Sequence, residues 1–111
     1  VLKARSLVVV VDDRIAKEID VDLNELKLLE VEQASTITYC YITSTKFLIE
    51  LLDEENKAIS STYAYIAIEH NLIEPLITDA TIDELGIVVI SFKKGLWKHI
   101  TDPPNKVRLG T

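Results

Sequence analysis

The sequence predicts a mainly β domain, a small closed or partly open barrel with one short helix at residues 79–85. Three observations carry that expectation. Val, Ile, Thr and Tyr dominate the apolar stretches, and branched and aromatic side chains suit a half-buried pleated surface. Hydrophobic residues make up 48% of the 111-residue chain and charged residues 27%, which is a globular composition and excludes disordered and collagen-like classes. Short apolar runs recur between polar breaks, as in domains built of many short strands.

Taken in order, residues 3–11 (KARSLVVVV) read as a strand and Asp12-Asp13-Arg14 as a polar break. Residues 15–23 alternate at Ile15, Ile19, Val21 and Leu23, so a hairpin return is expected. Residues 26–31 continue as a strand, although Asp22-Leu23-Asn24-Glu25 has the shape of a capping box, so helix and strand both stay open over 22–33. Residues 36–42 (TITYCYI) read as a strand. Residues 44–56 are again open, because Phe47, Leu48, Leu51 and Leu52 make a helical face while Phe47, Ile49 and Leu51 make a strand face. Asp53 to Lys57 is a charged turn, and residues 59–68 form a strand rich in Tyr and Ile. Leu76-Ile77-Thr78 ends a strand, Asp79 is the N-cap candidate, Ala80 to Leu85 is a short helix, and Gly86 follows as its stop. Ile87 to Phe92 reads as a buried strand and Lys93-Lys94-Gly95 as a hairpin turn. Leu96 to Ile100 returns, with Trp97 and His99 on one face. The whole, residues 1–111, is expected to be one domain with a polar tail from about residue 101.

The formal net charge of −6 repels phosphate, so nucleic acid is an unexpected partner. Uninterrupted apolar runs such as Leu7 to Val11 are far too short to span a bilayer. One Cys excludes an internal disulfide framework. The chain does not begin with Met and reads as trimmed, processed or partial. With no signal peptide or disulfides in view, a cytoplasmic location is expected. Cys40, between Tyr39 and Tyr41, reads as a small buried thiol. His99 reads as a surface residue. Tyr39, Tyr41, Tyr63, Tyr65 and Trp97 read as sheet-covering aromatics. Lys93, Lys94, Lys98, Lys106 and Arg108 read as a solvated basic stretch.

Residues 76–87, Leu-Ile-Thr-Asp-Ala-Thr-Ile-Asp-Glu-Leu-Gly-Ile, resemble the C-terminal signature of retropepsin-like aspartic proteases, small archaeal members in particular. In that family a strand end, a short helix and a Leu-Gly-Ile/Leu step lead into the next strand. The segment Ile87 to Ile100 resembles the family's closing hairpin, and Lys3 to Leu23 its first two strands. The family's catalysis uses an Asp-Thr-Gly turn from each of two subunits, whose paired carboxylates share one proton. This chain contains neither Asp-Thr-Gly nor Asp-Ser-Gly, and its nearest positional match is Glu32-Gln33-Ala34. Thr78 stands where the family has Gly. The resemblance therefore implies a homodimer that takes a peptide or protein ligand, uses no cofactor or metal, and is non-catalytic or strongly diverged; Glu32 is the candidate catalytic residue.

A second resemblance, to PIN-domain ribonucleases, rests on residues 64–78 (AYIAIEHNLIEPLIT) followed by Asp79. It implies an α/β fold and a Mg²⁺ or Mn²⁺ site made of Asp12, Glu50 and Asp79. A third reading is a small interaction module without catalysis. The plain reading of each acid is a cap or a solvated turn.

Overall fold

The structure, a computed structural model, describes residues 6–21, 25–33, 36–70, 72 and 75–110, of which 29–33 and 36–39 are described by their backbone alone. It is mainly β: nine strands and two short helices among the described residues. The strands lie in two open sheets. The larger has the order β2-β3-β5-β1-β6 with β4 also on β5, and the smaller the order β7-β8-β9. No barrel closes among these strands.

Strand β1 (Val8–Val11) has neighbours on both sides, β5 (Ala58–Ile68) in parallel and β6 (Leu76–Ile77) antiparallel. An unbroken Val run belongs at such a place, because both faces of a central strand are covered. Val11 packs with Ala16, Val21, Ile66 and Ile68, and Val9 joins them. Val8 and Val10 pack on the opposite face with Cys40 and Ala67.

The hairpin return expected over 15–23 is not formed. Residues Asp13–Glu18 are helix α1. The Asp12 carboxylate accepts from the Ile15 N–H at 2.9 Å, satisfying one of the free donors of the first turn. Ala16 is fully buried on the sheet, and Asp20, at φ 58, turns the chain away. The topology explains the correction. Because β1 pairs in parallel with β5, the chain must cross over after Val11 and cannot fold straight back.

Strands β2 (Leu26–Gln33) and β3 (Thr36–Thr43) form a hairpin whose innermost pair is Gln33↔Thr36. The capping-box residues 22–24 lie outside the described residues. Residues open between helix and strand over 44–56 resolve as β4 (Phe47–Leu52) and a turn. There the Asp53 carboxylate accepts from the Glu55 and Lys57 N–H groups, and Asn56 takes φ 63. Strand β5 is shared: its first half pairs with β4, and its last residues with β1 and β3.

Helix α2 (Asp79–Leu85) lies where the sequence puts it, but its N-cap is Thr78 and not Asp79. Gly86 closes it at φ 76. Strands β7 (Ile87–Ser91) and β8 (Leu96–His99) make the expected hairpin around Gly95, with a bulge between Val89 and Ser91. The polar segment beyond residue 101 does not trail free. It returns as β9 (Arg108–Leu109) on the edge of β8. The α/β alternative, a parallel layer between helices, is not this architecture: β1–β5 is the one parallel pair among the described strands.

Candidate functional site

The acids singled out in the sequence do not converge. Asp12 is a buried cap whose carboxylate also receives the Arg14 guanidinium at 3.2 Å, and the Ile15 amide holds that carboxyl below its ordinary range. Glu50 is exposed on β4, opposite Ser61. Asp79 opens α2 and its Oδ1 accepts from the Ala80 N–H. Among the described residues no three His, Cys, Asp or Glu side chains gather as a metal site. The Asp12, Glu50 and Asp79 triad of the nuclease alternative is therefore not assembled. Glu32 sits in the β2 ladder opposite Ile37, near the hairpin end, where only its backbone is described.

Four polar residues, His99, Arg108, Thr78 and Thr81, matter more than the sequence alone suggests. His99 is buried, not superficial. Its Nε2 donates to the Leu85 carbonyl at 2.9 Å, which also accepts from the Ser60 hydroxyl at 2.6 Å. Its Nδ1 accepts from the Thr101 N–H, and the geometry assigns the Nε2–H tautomer. The last carbonyl of α2 is thereby satisfied by two side chains from other strands. Arg108, expected in a solvated basic stretch, is buried as well. Its guanidinium pairs with both Asp102 oxygens at 2.8 and 3.0 Å and reaches Glu54 at 2.9 Å. It also lies 5.4 Å from the Trp97 ring centroid. The Arg108 hydrogen bonds and the His99 N–H hold the Asp102 carboxyl well below the usual carboxylate range. This clasp fastens the small sheet to the β4–β5 turn. Thr78 and Thr81 do the same for β1: the Val8 N–H donates to both hydroxyls, and Thr78 Oγ1 donates to the Ser6 carbonyl. Thr spacing before a helix signals a cap, but nothing in the sequence links it to Val8, 70 positions away.

The surface feature that stands out is strand β7. It pairs with β8 on one side and is the end strand of its sheet among the described residues. Contrary to the buried strand expected for 87–92, Val88, Ile90 and Phe92 are exposed, Phe92 by 72%. A cleft of about 500 Å³ beside it is lined by Leu51, Ile77, Val89, Phe92, Leu96 and Trp97. A second, of about 370 Å³, shares Val89 and Phe92 and carries Asp79 and Asp83. Asp83 and Glu84 are exposed just before this strand, and Lys93 and Lys94 just after it. Among the described residues no helix is long and apolar enough to cross a membrane. No protein-family model matches this chain, and no curated protein or solved structure matches it either.

Proposed function

We propose that this chain is a retropepsin-like domain that acts by two-fold self-association and ligand binding, and not as a peptidase. The observation that carries the reading is the open edge of β7, with Val88 and Ile90 exposed on the strand and Phe92 exposed just beyond its end. An open apolar edge is a template for another strand, and a two-fold partner covers it economically. The edge is self-complementary. In an antiparallel pairing centred on Val89, the Asp83–Glu84 end of one copy lies beside the Lys93–Lys94 end of the other, so opposite charges meet twice. The clefts flanking Phe92 then offer apolar walls to a peptide or protein segment. A cytoplasmic location belongs to the same reading, in keeping with a single buried thiol, Cys40, whose burial pushes its pKa up.

The non-catalytic part rests on the sequence, which has Glu32-Gln33-Ala34 in place of an Asp-Thr-Gly turn. It is supported by the backbone of Glu32 and Gln33, which is engaged in the β2–β3 ladder. Sedimentation equilibrium tests the assembly. The expected result is a dimer whose dissociation constant rises by about tenfold or more in Ile90→Lys, with an unchanged far-ultraviolet spectrum. A monomer at every concentration sinks the assembly. Pepstatin-sensitive cleavage of unfolded protein at acid pH, lost in Glu32→Gln, overturns the non-catalytic part.

A further inference from the structure

Away from β7, the face of the large sheet that carries Val8, Cys40 and Ala67 opens into a cavity of about 380 Å³. Its apolar wall is Val8, Ile42 and Tyr65, and its rim is Ser6, Lys27 and Ser44. The ladder places Lys27 directly opposite Ile42, so the ammonium stem and the apolar wall share one face of the β2–β3 hairpin. A second ammonium, Lys46 Nζ, stands 5.4 Å from the centroid of the Tyr65 ring. Among the described residues no carboxylate lines the cavity, and neither lysine has an ion-pair partner. In a chain of net charge −6, a lysine on the rim of an apolar hollow and a second ammonium over its Tyr65 wall, neither of them ion-paired among the described residues, stand apart from the acidic balance of the whole.

We propose that this cavity binds a small apolar monocarboxylate, with its hydrocarbon body against Val8, Ile42 and Tyr65 and its carboxylate between Lys27 and Lys46. The size falls in the range of small-molecule sites, and mostly apolar walls with a few charged groups are their usual make-up. A carboxylate suits the site better than a polyanion, because the net negative charge of the chain repels multiply charged ligands. The Ser44 hydroxyl is committed as a donor to the Glu25 carbonyl, and Thr43 to the Thr45 carbonyl, so the positive charge that meets an anion here comes from the lysines, with the Ser6 and Tyr65 hydroxyls as neutral donors on the same lining. The site is independent of the β7 edge and of any self-association.

The test is an amide NMR titration of the full chain with sodium octanoate and, separately, with 1-octanol. Expected are saturable shifts at Val8, Ile42, Ser44 and Tyr65 with a Kd below about 1 mM, and binding of octanol weaker by about tenfold. Lys27→Met with Lys46→Met keeps the apolar stems, leaves the fold unchanged because both side chains are exposed, and weakens octanoate by about tenfold or more. Equal affinity for acid and alcohol, shifts centred on Phe92 and Trp97, or no saturable shift overturns the proposal.

Discussion

At the scale of single residues, the backbone of Gly86 and the ring of His99 share one small volume. Gly86 sits at φ 76, and a Cβ there would come within 2.7 Å of His99 Nε2 and 3.0 Å of Ile100 Cγ2. Gly95 has a similar φ of 68, yet the nearest atom to its Cβ position is the Gly110 carbonyl oxygen at 3.4 Å. Both substitutions to Ala meet backbone strain, but only the one at Gly86 also displaces the imidazole from the Leu85 carbonyl. We expect Gly86→Ala to cost about 1–3 kcal/mol and Gly95→Ala less, read as urea midpoints at constant slope. Equal losses would show that the His99 contact contributes nothing. The glycine stop after α2 was legible in the sequence because Gly is the residue that adopts positive φ without penalty. The burial of His99 was not, since the Leu85 carbonyl it donates to ends α2, 14 positions away.

At the scale of elements, α2 is capped one residue earlier than side-chain type alone suggests. Asp79 has the better side chain for an N-cap by type alone, but Thr78 holds the position. The reason is tertiary. Thr78 Oγ1 accepts from the Val8 and Thr81 N–H groups and donates to the Ser6 carbonyl, so the residue that caps α2 also docks it on β1. Thr78→Ala is expected to cost about 2 kcal/mol, Thr78→Ser to recover most of that, and Asp79→Ala to cost less than half as much. Thermal unfolding followed by circular dichroism checks the order; an Asp79→Ala loss as large as that of Thr78→Ala would reinstate Asp79 as the cap. In α1 the misreading was of element type. Six residues span less than two helical turns, too few for the apolar period to separate helix from strand. The ambiguous segments at 26–33 and 47–52 both settled as strands because each finds a ladder partner, β3 and β5 respectively.

At the scale of the molecule, the smaller sheet is tied to the rest by carboxylates around one guanidinium. Arg108 and hydrogen bonds hold the Asp102 and Glu54 carboxyls below their usual range, and backbone amides do the same for Asp53. Each folded-state pKa lies below its unfolded value, so these groups contribute stability in full above about pH 5 and lose it as pH falls through about 4 and lower. Urea unfolding at pH 7, 4 and 3 should show a decline that flattens in Asp102→Asn. A pH profile identical in wild type and variant would remove the clasp from the account.

The composition and the branched apolar runs were enough to specify a mainly β chain, its Val core strand, the α2–Gly86 step and the β7–β8 hairpin, because each is governed by neighbours within a few positions. Pairing β1 with β5, burying Arg108 and His99, leaving β7 with an open edge and setting Lys27 and Tyr65 on the lining of one cavity were decisions of the tertiary structure. Those outcomes depend on which distant groups meet, and an isolated stretch of sequence holds no record of the partner that will neutralise its charge or cover its face.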